Sequence, residues 1–292
     1  MSAFCELRSA SSGELQRVAV LLTSAGQRVA LVNSLRSVGA ELGLKVRIIA
    51  CDRSPRNRPA CLVADAAYQT GDPDDPAYIA ALREICVVHR VRLIIPTDAG
   101  EAASLSRHRA SFAAIGVSIA GSGAELATQA RDPSWFGELA QTVLSDGGPE
   151  DDCSPLDTHA YERRFEVLMY FDRAGDLRAL IPCERVVQDG IEHLITRHCP
   201  ELEALAERLA ERLEDPGSVV SFDARLGPGG AIQVESLRTH LGETFEIAQL
   251  AGAQLIRWLL SEHCLGQRAV GGEWREGVEM FRYEAAMFVL PH

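Results

Sequence analysis

Apolar and polar positions alternate along this chain with two different periods, one in each half. Val18-Ala-Val-Leu-Leu22 is a continuous apolar run that ends in Thr23-Ser-Ala-Gly26. Such a run marks a strand buried on both faces and running into a turn. From Gln27 to Leu42 the apolar residues Val29, Leu31, Val32, Leu35, Val38 and Leu42 recur at helical spacing. A second strand is predicted over Val46 to Cys51, and Tyr68 closes a third, short extended segment. Asp74-Asp75-Pro76 caps the next helix, with proline in its first turn and acids at its positive end. That helix runs to about His89 with Ile79, Leu82, Ile85 and Cys86 inward. Arg92-Leu-Ile-Ile-Pro96 is a fourth strand, and Thr97-Asp98 caps the helix after it. Gly116 to Ala120 is a fifth, followed by a Gly-Ser-Gly turn and a helix from Ala124 to Ala130. Regular alternation of strand and helix predicts a doubly wound parallel sheet with helices on both faces.

The second half has hairpin spacing instead. Phe165 to Phe171 and Leu177 to Pro182 flank Asp-Arg-Ala-Gly-Asp, which predicts an antiparallel pair. Glu201 to Leu213 is an amphipathic helix with Leu202, Leu205, Leu209 and Leu213 on one face. Val219 to Ala224 and Ala231 to Glu235, joined by Gly-Pro-Gly-Gly, form a second hairpin. Helices follow from about Thr244 to Ala251 and from Gln254 to Cys264, and Val278 to Leu290 reads as two short extended pieces.

Composition narrows the function classes. The 292 residues carry a formal net charge of -12, which disfavours a nucleic-acid partner because phosphate binding needs clustered cations. No run of eighteen apolar residues occurs, so no membrane partner is expected. Met1 to Gln16 is polar, lacks a secretory apolar core and reads as a loose arm. The eight cysteines show no CxxC pair and no zinc spacing. Cys51, Cys61 and Cys86 lie in apolar segments and read as buried free thiols, which points to the cytoplasm. Nearly every basic residue is arginine, and Lys45 is the sole lysine.

Ligands of doubly wound sheets sit at the carboxyl ends of strands. Those ends carry Thr23, Ser24, Gly26, Asp52, Asp98 and Glu101, the candidate cofactor-binding residues. Asp52 has two roles open to it: a hydrogen bond to a sugar hydroxyl or amine, or a plain strand-end cap. The turn Thr23 to Arg28 is not GxGxxG, so a nicotinamide dehydrogenase gains little support. In the second hairpin Asp223 and Glu235 are candidates to face each other across neighbouring strands. Two such carboxylates repel unless a cation such as Mg²⁺ lies between them. The alternative is a pair of exposed strand-end acids without metal.

Leu22-Thr-Ser-Ala-Gly-Gln-Arg28, Ala50-Cys-Asp-Arg-Ser-Pro55, Ile94-Ile-Pro-Thr-Asp-Ala-Gly-Glu101 and Arg131-Asp132 occur in that order. Together they resemble the N-terminal domain of carbamoyl-phosphate-synthase-like ATP-grasp proteins. Phe165 to Val187, with Ile181-Pro-Cys-Glu-Arg-Val186, is similar to the strand pair that opens their catalytic subdomain. Val234-Glu-Ser-Leu-Arg-Thr-His240 sits where they carry a metal-binding Glu-x-Asn-Pro-Arg strand end, and Glu273 to Tyr283 resembles their closing segment. The resemblance implies an α/β protein: a Rossmann-like parallel sheet, then an α+β domain with an antiparallel sheet. It implies ATP and Mg²⁺ as cofactors if the site is functional and none otherwise. It places the metal on Asp223 and Glu235, and the catalytic roles on Arg185 and Arg238. Family members activate a carboxylate as an acyl phosphate, which an amine attacks.

The sequence departs from that plan in three places. The family's nucleotide-clamping lid needs roughly 60 residues at average element lengths. Between Val143 and Arg164 there are only about twenty, rich in Asp, Gly and Pro, which read as an exposed linker over 145–160. Lys45 precedes the second strand and cannot act as a lid lysine on phosphates. An ungapped match sets Leu237 and Thr239 in the Asn and Arg roles, whereas a one-residue deletion sets Ser236 and Arg238 there. Asp223 matches the first metal ligand only if the hairpin is one residue shorter, and Glu243 falls at a matching acidic position. The expected organisation is an arm over 1–16, a Rossmann-like domain over 17–130, a helix and linker over 131–160, and an ATP-grasp-like domain over 161–292. The function expected is a degenerate, non-catalytic homologue that binds a small molecule or a protein partner. The alternative is an active carboxylate–amine ligase whose lid is minimal or comes from an oligomer or partner.

Overall fold

The computed structural model describes residues 15–145, 163–283 and 287. The first half runs β1 (Gln16–Thr23), α1 (Val29–Glu41), β2 (Leu44–Asp52), α2 (Pro59–Val63), β3 (Ala66–Gln69) and α3 (Pro76–His89). It continues through β4 (Val91–Pro96), α4 (Ala99–Arg107), α5 (Arg109–Ala113), β5 (Ser118–Ile119), α6 (Ala124–Gln129) and α7 (Pro133–Ser145). All pairings in its sheet are parallel, in the order β3-β2-β1-β4-β5. β1 shows why the run at 18–22 is apolar throughout. Val18, Val20 and Leu22 face one cluster with Leu31 and Leu35 of α1. Ala19 and Leu21 face the opposite one with Leu82 and Ile85 of α3 and Phe112 of α5. Helix α3 begins as predicted, with the Asp75 side chain accepting from the Ala77 amide at 2.8 Å. Its buried face includes Tyr78, while Ile79 is only partly covered.

The second half runs β6 (Arg163–Phe171), β7 (Leu177–Gln188), β8 (Ile191–Thr196), α8 (Pro200–Arg212), β9 (Val219–Leu226), β10 (Ile232–Arg238), α9 (Phe245–Ala251), α10 (Leu255–Leu260) and β11 (Glu279–Phe281). A π-turn over Ser261–Leu265 prolongs α10. The second sheet is antiparallel, in the order β10-β9-β6-β7-β8-β11. Both predicted hairpins are present. β8 was not predicted, although Asp189-Gly190 supplies the pair of positive-φ residues that a two-residue hairpin needs. Strand β6 splits its residues by parity. Phe165, Val167, Met169 and Phe171 face a core with α7 and α8. On the other face Leu168 and Tyr170 join the cluster around α1 and α10, and Glu166 lies at its margin.

That cluster is common to both halves: Leu31 and Leu35 of α1 share it with Ile181 of β7 and Ile256 and Leu260 of α10. A second seam lies beyond β5. There the Gly123 amide donates to Asp215 O at 2.7 Å, and Ser122 Oγ donates to Pro216 O at 2.5 Å. Gly217, at φ +70°, approaches so closely that a Cβ would stand 2.3 Å from the Gly121 carbonyl. Three expectations need comment. Gln16 opens β1, opposite Leu44, and so does not belong to the arm; the rest of the arm lies almost wholly outside the described residues. The linker expected over 145–160 is likewise outside them, save Ser145, which closes α7. Of the two extended pieces at 278–290, β11 is one, and the other is outside them apart from Met287.

Candidate functional site

The strand order places a topological switch between β1 and β4, where doubly wound sheets open a ligand crevice. Thr23, Ser24, Gly26, Asp52, Asp98 and Glu101 gather there along the carboxyl edge. Thr97 Oγ1 donates to the carbonyls of Thr23 and Ser24, at 3.0 and 2.9 Å, and stitches the two strands together. Asp52 accepts from the amides of Gly26 and Ser54 and from Arg58 Nε at 3.1–3.2 Å, so its carboxylate holds its own turn. That is the strand-end cap of its two roles. Asp98 is exposed and caps α4 through the Gly100 amide at 2.8 Å. Glu101 is buried, with Oε1 accepting from Ser24 Oγ at 2.6 Å and Tyr78 OH at 2.7 Å. Burial raises its pKa against the lowering effect of these donors. Its Oε2 and the adjacent Thr23 Oγ1 are buried with no well-aligned hydrogen bond, although Thr23 lies close enough to add to the lowering effect.

The second sheet presents a group on β6, β7, β9 and β10. Val234 pairs with Ala224 and Ser236 with Asp223, so Glu235 is an extra residue, a β-bulge. Its consequence is a change of face. Ile232 and Val234 pack on the core of α7 and α8, and beyond the bulge so does Leu237. Ser236 and Arg238 are thereby turned to the face of Asp223. Ser236 and Arg238 are the pair that the one-residue deletion picked out from the sequence.

The bulge also corrects the expected pairing of Asp223 with Glu235. Glu235 forms an ion pair with Arg225 instead. Asp223 Oδ2 accepts from Ser236 Oγ at 2.7 Å and Arg238 Nη1 at 2.5 Å, and Oδ1 accepts from Arg238 Nη2 at 2.8 Å. Arg238 Nη2 also lies 3.0 Å from Glu166 Oε1, which takes a further hydrogen bond from Ser221 Oγ at 3.1 Å. The guanidinium therefore bridges two carboxylates. Asp223 is held below the usual carboxylate range, chiefly by its hydrogen bond to Arg238 working against desolvation. Tested as a Mg²⁺ site, this donor set does not fit. Both Asp223 oxygens are engaged by Arg238, Glu235 is engaged by Arg225, and no cluster of three or more His, Cys, Asp or Glu suited to a metal occurs among the described residues.

Arg28, Arg185, Arg238 and Arg282 line a cleft of about 280 Å³ together with Glu166, Glu192, His193, Asp223 and Glu243. Each arginine meets an acid of the same cleft. Arg185 lies 2.5 Å from Glu192, and Arg28 and Arg282 lie 3.2 and 3.1 Å from Glu243. Arg28 crosses from the first sheet's edge, where its Nη2 also reaches Thr97 O at 3.4 Å, and so links the two groups. His240 is buried nearby with Nδ1 unpartnered, and desolvation, with Arg28 next, pushes its pKa down to about 4. Neither His240 nor Glu166 was singled out from the sequence. Glu166 alternates with apolar β6 residues, and only that unusual acid in a buried strand marks it.

The description "PylC-like, N-terminal domain" matches residues 20–120. No curated protein matches the chain. Solved structures do. An ADP complex of N5-carboxyaminoimidazole ribonucleotide synthetase is similar with a TM-score of 0.61 at 14% identity, over 89% of this chain and 80% of that one. The biotin carboxylase domain of Hydrogenobacter thermophilus 2-oxoglutarate carboxylase, in complex with MgADP and bicarbonate, gives 0.61 at 12% identity, over 89% and 73%. The multifunctional pyruvate carboxylase of Rhizobium etli gives 0.59 at 14%, over 84% of this chain but only 23% of that one. Residues 20–120 thus match a PylC-like N-terminal domain, and most of the chain shares the fold of these synthetase and carboxylase structures.

Proposed function

We propose that this protein is a degenerate ATP-grasp homologue that holds a small polar molecule in the cleft between its sheets and does not turn over ATP. The observation that carries this reading is Arg238, whose guanidinium lies between Asp223 and Glu166 where acids of a working site would face a hard cation. The other cleft arginines support it. Each is already neutralised by Glu192 or Glu243, so a triphosphate meets little net positive charge. A cleft lined equally by guanidinium and carboxylate suits a small molecule bearing both signs of charge. The six described free cysteines are all buried, which fits a reducing, cytoplasmic setting. No helix among the described residues is long and apolar enough to cross a membrane.

The alternative, a carboxylate–amine ligase completed by a lid from an oligomer or partner, draws on one feature: Ser236 and Arg238 keep the aligned positions on the site face. Calorimetric titration with Mg-ATP separates the two. No saturable binding below the millimolar range is the expected result. Micromolar affinity that disappears in Asp223→Asn overturns the degenerate reading and favours the ligase.

A further inference from the structure

A second cavity, of about 670 Å³, opens beyond β5 and shares no lining residue with the cleft. Its walls are the amino ends of β4 and β5, the β6–β7 turn and the segment 213–218. The charges on those walls do not balance. Asp172 is fully buried and already held by Arg178, at 2.6 and 2.8 Å, and by Arg268 at 2.9 Å. Asp215 is taken by Arg109 at 3.0 Å. Arg92 and Arg173 have no carboxylate partner among the described residues, Arg173 Nη1 reaching only the Glu262 carbonyl at 3.4 Å, so two guanidinium charges face the cavity with no acid paired to them.

His263 forms the floor. Its Nδ1 lies 2.6 Å from Ser118 Oγ and its Nε2 lies 3.0 Å from Ser218 Oγ. Burial, with Arg173 and Arg109, pushes this imidazole down to about 4, so it is neutral near pH 7 and a weak base. A histidine held between two serines in this way clamps β5 to the segment that leads into β9 rather than activating a nucleophile. The cavity is thus built for binding.

We propose that this cavity is a binding pocket for a phosphorylated small molecule, with Arg92 and Arg173 on its phosphate. A phosphate dianion matches these two guanidinium charges, and its tetrahedral oxygens accept from both forks. A single carboxylate would neutralise only one. The volume lies within the range of pockets that enclose whole metabolites, leaving room for an organic body beside the phosphate.

The test is isothermal titration of the full chain with inorganic phosphate, and with acetate at matched ionic strength. Saturable phosphate binding is expected, with acetate at least about tenfold weaker. In Arg92→Ala/Arg173→Ala phosphate affinity should fall about tenfold or more, the loss expected for removed charge-assisted bonds. Circular dichroism should show that variant folded, since neither side chain holds a buried acid. Arg185→Ala, in the other cleft, should leave phosphate binding unchanged. No saturable binding, equal binding of acetate, retention in the double variant, or loss in Arg185→Ala overturns the proposal.

Discussion

Arg238 grips Asp223 with both ends of its guanidinium, Nη1 at 2.5 Å from Oδ2 and Nη2 at 2.8 Å from Oδ1. Both side chains are about three-quarters covered, so each needs the other. Asp223→Ala should lower stability by about 2–3 kcal/mol, because it leaves a half-paired guanidinium in the cleft. Arg238→Lys should also destabilise, since an ammonium cannot bridge Asp223 and Glu166 with a planar fork. Urea unfolding measures both. If Asp223→Ala is neutral, the pair is not a structural element.

Acid should unfold the protein partly through two histidines. Burial, then Arg28, holds His240 down to about 4, with Arg238 adding to this and Asp98 opposing it. His263 is held to about 4 by burial, Arg173 and Arg109. Their folded pKa values lie below the ordinary 6.5, so their contribution is fully present above pH 6.5. It is lost as pH falls towards 4, because the unfolded chain takes the protons first, at up to about 1.4 kcal/mol per pH unit for each imidazole. His263→Gln, which keeps partners for Ser118 and Ser218, should flatten the stability profile in that window. An unchanged slope would show that His263 titrates normally in the fold.

Glu101 carries the opposite sign. Its pKa is raised, so its stability contribution declines as pH rises above its ordinary 4.5 through the folded value. Glu101→Gln keeps an acceptor for Ser24 and Tyr78 and adds a donor beside Thr23 Oγ1, which has no well-aligned hydrogen bond. We expect a gain of roughly 1 kcal/mol, larger at pH 8 than at pH 5. Thermal unfolding at the two pH values reads it, and a loss at pH 8 contradicts the burial argument.

Two glycines with similar φ separate backbone strain from crowding. Gly229, at φ +76°, has nothing within 4 Å of where a Cβ would stand, whereas Gly217, at φ +70°, would meet the Gly121 carbonyl at 2.3 Å. Gly229→Ala should cost about 1 kcal/mol. Gly217→Ala should cost about 2–4 kcal/mol, because the seam between 121–123 and 215–217 must open. Equal losses in chemical denaturation would mean that this seam is already loose.

The elements of the first half were legible because the central strands β1, β2 and β4 are apolar over most of their length and each long helix repeats its apolar residues. Helices α2 and α5 were not, since a five-residue turn has no period to read. The carboxyl-edge group at 23–26, 52, 98 and 101 followed from the positions of the predicted strand ends. The second site was harder. Ile232 and Val234 alternate with polar residues, but Glu235-Ser236 places two polar residues in a row before Leu237; that break in period is the trace of the bulge, and the strand predicted to end at Glu235 did not use it. Nor could the sequence show that arginines would close on the cleft acids, since partners such as Arg28 and Glu243 are distant in the chain and meet only after folding.

The apolar cluster shared by α1, β7 and α10 bears on motion. Proteins that close on a ligand by swinging one body against another need a joint whose surfaces can slide or part. Here Leu31 and Leu35 interlock with Ile256 and Leu260, and an Arg257–Glu41 ion pair spans the same face. Parting them would expose the interior of both halves at once, so no hinge can work at this joint. The small molecule proposed for the cleft would instead be met by rotating side chains, chiefly arginines exchanging one acid for another. Its arrival and departure should therefore be fast, without the slow opening step that governs release from a hinged enzyme.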